Sequence, residues 1–281
     1  MSNPDPGEEH GPPAVEIRGL RYAFGETTAV DGLDLTVHSG EIFGLLGPNG
    51  AGKTTTIRAI TALLPVPPGV IEVFGRDVAR RRMAVRRMIG YVPQQLSADG
   101  GLTGAENVAL FARLFDVPGN RRKAQVAEAL EMVGLSDVAG RRASTYSGGM
   151  IRRLELAQAL VSSPRLLILD EPTIGLDPVA RAGVWERIAA VRAQTGMTVL
   201  VTTHYMDEAE QTCDRVAMMH HGRLGALGTP AELIAGLGIE NGSLDDVFRA
   251  YAGVSTSDES DDRDNGMRGV RAARRTAGRL G

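Results

Sequence analysis

Cysteine occurs once, at Cys213, which excludes an internal disulfide and fits a reducing compartment. It reads as a small core filler rather than a nucleophile. Among 31 basic residues only Lys53 and Lys123 are lysine, so a place where lysine is kept against that habit calls for a reason. No run approaches the roughly 20 apolar residues that a bilayer span needs. The N-terminus is rich in Pro, Gly and Glu without a charged-then-apolar leader, from which a chain that is not exported is expected. Positive charge is not in excess either: net charge is −3 and the pI near 6.0, which removes any global argument for nucleic acid. Large apolar residues are scarce over residues 1–13 and 255–281. In the latter, an acidic block (Asp258, Glu259, Asp261, Asp262, Asp264) gives way to a basic one (Arg268, Arg271, Arg274, Arg275, Arg279), and both ends are expected to be disordered. The chain as a whole is 43% apolar, enough to give residues 14–254 a real core.

What is present is most pointed at Gly47, Pro48, Asn49, Gly50, Ala51, Gly52, Lys53 and Thr54, a complete G-x-x-x-x-G-K-[ST] loop fed by the apolar run Ile42 to Leu46. Glycines are needed there because successive N–H groups turn inward around a phosphate, and a Cβ would block the approach. A helix over 54–62 then points its positive end at the same anion. Lys53 supplies a compact charge for the β- and γ-phosphates that a planar guanidinium would not match, and the Thr54 hydroxyl suits Mg²⁺. ATP or GTP is the ligand this loop predicts.

Around the loop, Val15 to Arg18 and Leu33 to Val37 alternate as half-buried strands do, which predicts an antiparallel layer beside the nucleotide. From about 95 to 163 the pattern becomes helical, with segments over 105–115, 124–133 and 150–161, and a helical subdomain is expected there. A buried parallel core resumes with Leu166 to Leu169, a helix over 180–194, a strand over 198–202, short strands over 215–219 and 223–226, and a last amphipathic helix over 244–251. His220 and His221 read as a hairpin tip. The fold class is therefore α/β.

Two further elements carry chemistry. The strand ending at Leu169 delivers Asp170 and Glu171: an acid beside the phosphates can hold hydrated Mg²⁺, and its neighbour can orient or deprotonate water. Adjacent acids at a strand end are also ordinary turn chemistry. Tyr146-Ser147-Gly148-Gly149-Met150 precedes a helix that Ser147 can cap, and the bare N–H groups of Gly148 and Gly149 make a second anion site. A plain N-cap after a flexible glycine pair is the simpler alternative for that stretch taken alone.

The ordered set resembles the nucleotide-binding subunit of ATP-binding cassette (ABC) transporters, over nearly everything from Val15 to Ala252. The Lys53 loop is similar to the family's Walker A motif, Asp170-Glu171 to Walker B, Tyr146 to Met150 to the signature, and Gly175 to Pro178 to the D-loop. Gln94 stands where the Q-loop glutamine is expected and His204 where the switch histidine is. Tyr146 and Met150 depart from the commonest signature, Leu-Ser-Gly-Gly-Gln. Together with Leu102 to Gly104, Thr202 to Glu210 and Ser243 to Phe248, they resemble drug and antibiotic exporters of the daunorubicin-resistance type.

That resemblance implies a P-loop NTPase fold with an antiparallel β layer and an inserted helical subdomain. It also implies ATP with Mg²⁺ held around Thr54, Gln94 and Asp170. Phe24, with Tyr22 as second candidate, would stack on adenine, while residues 47–54 and Thr55 would cradle phosphate. Glu171, His204 and Gln94 would serve catalysis. Two copies would dimerise head to tail, with Ser147, Gly148 and Gly149 reaching the other copy's ATP and Asp177 linking the two sites. The partner implied is a separately encoded ABC-2-type permease at the cytoplasmic face of the cell membrane, for export of a drug, antibiotic or other hydrophobic compound. The arginines at 80–82, 86, 87, 141 and 142 lack interleaved aromatics and read as solvated helix faces, so no nucleic acid is expected. A soluble ABC-type ATPase acting on DNA or ribosomes would need a coiled coil or a second cassette. A nucleotide kinase would leave Ser147, Glu171 and His204 without roles.

Overall fold

Alternating apolar residues organise the first layer. In the computed structural model, which describes residues 11–95, 97–239 and 241–252, β1 (Val15–Phe24) and β2 (Thr27–Val37) form an antiparallel hairpin. Its register sets Val15 against Val37 and Ile17 against Leu35, and these side chains all point into the core. The P-loop strand β3 (Ile42–Leu46) and helix α1 (Lys53–Ile60) follow. Then β4 (Ile71–Val73) and β5 (Arg76–Asp77) return to the first layer, giving a four-stranded sheet of order β2-β1-β4-β5. The disorder expected over 1–13 and 255–281 lies outside the described residues, apart from 11–13.

The second sheet carries the chemistry. Its order is β10-β9-β3-β8-β7-β6, built from β6 (Ile89–Val92), β7 (Leu166–Asp170), β8 (Thr198–Thr203), β9 (Arg215–His220) and β10 (Arg223–Gly228) around β3. All are parallel except β10, which closes the edge as a hairpin with β9. Every residue of β3, β7 and β8 is buried, as a parallel sheet covered on both faces demands. Alternate residues serve two cores. Phe43, Leu45, Ile168 and Leu200 face Ile57, Ile60 and the β1–β2 layer, while Leu46, Leu167, Leu169 and Val201 face the helices.

Those helices are α3 (Gly104–Leu114), α4 (Gly119–Met132) and α5 (Gly148–Leu160), with α6 (Pro178–Thr195) beside them. Val108, Ala112, Val126, Leu130 and Leu154 join them in one cluster. Thr103 and Glu106 cap α3 reciprocally, which fixes its start. The α4 helix begins well before the expected 124, at the residue after Pro118, with Asn120, Arg121 and Lys123 exposed while the half-buried Arg122 donates to the Val117 carbonyl at 2.7 Å. The short α2 (Arg82–Arg86) corrects one expectation: Arg86 is not simply solvated, since its guanidinium donates to the Ala62 and Thr61 carbonyls just past α1. The described residues close with α7 (Met206–Thr212), α8 (Pro230–Gly236) and α9 (Leu244–Ala252).

Candidate nucleotide site

The phosphate loop is wedged between two backbones, and its glycines answer to that. Gly47 has φ 144°, and a Cβ there would lie 2.2 Å from the Met219 carbonyl oxygen. Gly52 has φ 102°, and its Cβ would meet the Ala29 oxygen at 2.5 Å. Only glycine fits either place. The β9–β10 turn supports the loop from behind, with Gly222 N–H donating to Ala51 O at 3.1 Å while Asp31 N–H donates to Gly222 O at 2.8 Å. The histidine pair therefore does sit on a hairpin tip, and that tip is the back wall of the loop.

Lys53 opens α1 and folds back over the loop, its Nζ donating to Gly47 O at 2.7 Å and Pro48 O at 3.1 Å. It is 5% exposed. Burial holds its ammonium below the usual lysine pKa, while the neighbouring Glu171 and Asp170 charges pull the other way. No side chain caps the start of α1 and no acid sits in its first turn, so its leading N–H groups are left for an anion.

The β7 strand brings the acids up beside this lysine. Asp170 Oδ1 stands 3.3 Å from the Thr54 hydroxyl and accepts from Thr202 Oγ1 at 2.6 Å. A hydroxyl and a carboxylate so placed are a hard-oxygen donor set that fits Mg²⁺. Glu171 turns out of the strand with φ 50°, a left-handed conformation that a glutamate adopts at a cost. Its N–H is held by Thr202, at 3.0 Å to Oγ1 and 3.1 Å to O. Three side chains converge on its carboxylate: Lys53 Nζ at 3.5 Å, Gln94 Nε2 at 3.2 Å and His204 Nδ1 at 3.3 Å. A cavity of about 310 Å³ opens onto this group, lined by Ala29, residues 48–55, Gln94 and Glu171. A larger one, about 400 Å³, lies at the other end of the strands, between Ser39, Phe74, Met132 and Arg165. It holds no comparable convergence of phosphate-binding glycines and acids.

The family model described as ABC transporter matches residues 30–174. The chain belongs to the ABC transporter family. It is 48% identical over 225 residues to the daunorubicin/doxorubicin resistance ATP-binding protein DrrA of Streptomyces peucetius, covering 80% of this chain and 68% of that protein. It is 46% identical over 222 residues to Nod factor export ATP-binding protein I of Paraburkholderia xenovorans, covering 79% and 73%. Among solved structures it resembles the ATP binding subunit of an ABC transporter, with 28% identity, a TM-score of 0.74 and coverage of 85% of this chain and 99% of that one. It is also similar to CbiO1 of Clostridium perfringens, part of the ABC transporter complex CbiONQ, at 28% identity, TM-score 0.73 and coverage of 80% and 91%. The chain is thus an ATP-binding, ATP-hydrolysing subunit of an ABC transporter. Among the described residues no helix is long and apolar enough to cross a membrane.

Other residues singled out in this ABC subunit lie apart from the cavity. Ser147 and Gly148 are exposed at the start of α5, where Ser147 accepts from Met150 N–H at 3.3 Å. The same end abuts the D-loop: a Cβ on Gly148 would touch Leu176, and one on Gly149 would touch Ala180. Tyr146, one of the two departures from the common signature, is buried with its hydroxyl donating to Val138 O at 2.7 Å, a place for a phenol rather than a leucine. Asp177 is exposed and caps α6 through Val179 and Ala180 N–H. Phe24 does not line the cavity; half exposed at the end of β1, it tilts against Tyr22 with ring centroids 5.1 Å apart.

Several groups around the ABC site were not read from the sequence. Thr202 joins Asp170 to the Glu171 backbone, and the hint was a threonine directly after the aliphatic run Val199 to Val201. Tyr91 lies beside Asp170, and burial, with the acid's charge, pushes its phenol up to about 12. Arg152 and Glu155, an ion pair on α5 at 2.9 Å and almost wholly buried, hold the Q-loop. The guanidinium donates to Pro93 O at 2.9 Å and Gln94 O at 3.1 Å, while Glu155 accepts from the Ser97 N–H and, at 3.2 Å, from its hydroxyl. Burial holds the Glu155 carboxyl above its ordinary value, with the Ser97 bonds and Arg152 working against that.

Proposed function

We propose that two copies of this chain pair head to tail around two ATP molecules and drive a separately encoded ABC-2-type permease at the cytoplasmic face of the membrane. The cargo in this reading is a drug, antibiotic or other hydrophobic compound moved outward. The similar proteins named for daunorubicin resistance and Nod factor export support it. One observation supports the pairing most. Ser147 and Gly148, at the second of the two helix ends proposed to bind phosphate, stand exposed and away from the cavity that the Lys53 loop lines. A second copy would bring its Ser147 to the first copy's phosphates.

In this mechanism residues 47–55 cradle the phosphates and Lys53 holds the β- and γ-groups. Thr54, Asp170 and Gln94 would hold Mg²⁺, and a metal bound there would supply positive charge against the phosphoryl oxygens. Glu171 takes the proton of the attacking water, His204 contacts the γ-phosphate, Gln94 relays nucleotide state to the helices, and Asp177 joins the two sites. Phe24 stacks on adenine. Nothing in this scheme uses nucleic acid.

Mixing tests the pairing. Ser147→Arg and Lys53→Ala should each abolish turnover alone. Their heterodimer keeps one composite site wholly intact, because both lesions face the same nucleotide, so mixing should restore hydrolysis. Specific activity independent of protein concentration and indifferent to Ser147→Arg would rule the pairing out. Drug accumulation compared with and without the subunit tests the cargo and its direction.

A further inference from the structure

One buried carboxylate outside the nucleotide cavity joins the three segments that bear Glu171, Asp177 and His204. Glu208, 6% exposed on α7, accepts through Oε2 from the Thr173 hydroxyl at 2.7 Å and from the Trp185 indole N–H at 3.0 Å. Its Oε1 lies 3.0 Å from Arg181 Nε, an ion pair held by charge without a well-aligned hydrogen bond. The Arg181 guanidinium also lies over the Tyr205 ring at 4.3 Å, and that ring packs on His204 with centroids 4.2 Å apart. Thr173 is two residues beyond Glu171, Arg181 and Trp185 sit on the helix that Asp177 caps, and Tyr205 follows His204. Glu208 thereby fastens the strand end bearing Glu171, the D-loop helix and the segment bearing His204 to one another.

Such an arrangement is expensive to build. A buried ion pair is often less stable than an apolar replacement of the same shape, whereas a fully satisfied polar cluster fixes one geometry. We propose that Glu208 is a positioning residue for ATP hydrolysis: it sets where Glu171 and His204 stand relative to each other, and the chain's single tryptophan donates to it and reports its state. This rests on the proposed roles of Glu171 and His204. Glu208 lines no part of the nucleotide cavity, so its loss should affect the chemical step and spare binding.

The test is steady-state hydrolysis, direct ATP binding and tryptophan emission on the full-length protein carrying Glu208→Gln, with Thr173→Val and, for hydrolysis and binding alone, Trp185→Phe as milder variants. Glu208→Gln keeps the shape but sets an amide N–H₂ or a neutral oxygen against the Arg181 cation. Because misplacing reacting groups by about 1 Å costs up to about 100-fold, kcat should fall about 10- to 100-fold with KM and ATP affinity within about twofold of wild type. MgATP should change the Trp185 emission of the wild type and leave that of Glu208→Gln unchanged. Wild-type kcat in a folded Glu208→Gln protein overturns the proposal. If that variant does not fold, wild-type kcat in both milder variants overturns it equally. A loss of kcat accompanied by an equal loss of ATP affinity also overturns it, since it marks general damage to the site. Glu171→Gln is the control: if it hydrolyses ATP at the wild-type rate, the proposed roles have failed and the inference falls with them. If it is inactive, an active Glu208→Gln overturns this inference alone.

Discussion

Lys53 Nζ stands 3.5 Å from Glu171 Oε1, with the two side chains only 5% and 7% exposed. The lysine proposed to hold phosphate and the acid proposed to take the water's proton thus partly neutralise each other across the cavity.

Glu171→Gln should cut ATP turnover by about 10²- to 10⁴-fold, the range for loss of a general base, while ATP still binds and dimers accumulate. Burial already lowers the lysine pKa and Glu171 opposes that, so removing the acid lowers it further. ATP affinity of the variant should therefore weaken at a less alkaline pH than that of the wild type. Turnover assays and nucleotide titrations across pH check both halves. Unchanged turnover would reassign Glu171.

Lys53→Ala should weaken ATP binding by roughly 1.5 to 3 kcal/mol, the worth of a charge-assisted contact. Lys53→Arg should also fail. The ammonium fits a curl that ends on the Gly47 and Pro48 carbonyls, with three donors spread about one point, and a planar fork cannot reproduce that. Equilibrium binding of the arginine variant decides the matter, and wild-type affinity there would refute it.

Glu155→Leu should destabilise the fold by about 3 to 5 kcal/mol, because it leaves the Arg152 cation buried and uncompensated. Adding Arg152→Met should recover most of that stability, since an apolar pair is well tolerated in a core. Hydrolysis should stay low in the double variant, because the Pro93 and Gln94 carbonyls have then lost their donor. Thermal melts beside ATPase assays separate the two effects. Wild-type turnover in the double variant would show that the tether is only structural.

Cys213 should resist thiol reagents at pH 8 in the folded protein and react fully in denaturant. Burial pushes its thiol from an ordinary 9.0 up to about 12, so the folded state holds the proton longer. That stabilisation is complete below pH 9 and is lost as pH rises toward about 12. Cys213→Ala should flatten the alkaline limb of a stability–pH profile, and an unaltered limb would count against it.

What was legible in the sequence was local. The Lys53 loop, the acids at the end of β7 and the capped start of α5 each lie within a few residues of their own signals, and α1, α3 to α6, α9, β1 to β3 and β7 to β10 followed from apolar patterning, whereas α2, α7, α8 and β6 went unread. Thr202 was illegible because its meaning comes from the β7–β8 register, which sets it opposite Asp170. Arg152 reaches back 58 residues to hold the Gln94 carbonyl, and no spacing rule announces such a partner. Trp185 and Glu208 carry no local signal, because their contact arises only where α6 and α7 pack together. The short β4 and β5 went unread for a related reason: strands of three and two residues are too short to show a period.

The left-handed backbone at Glu171 separates what folding favours at this position from what transport requires. Glycine and, to a lesser degree, asparagine occupy that conformation readily, whereas other residues give up about 1 to 3 kcal/mol. A library screened only for heat resistance should therefore drift away from glutamate here, and the most durable clones should be idle ones. A relative that has kept glutamate at this turn has done so against its own stability, so the residue records use rather than ancestry alone.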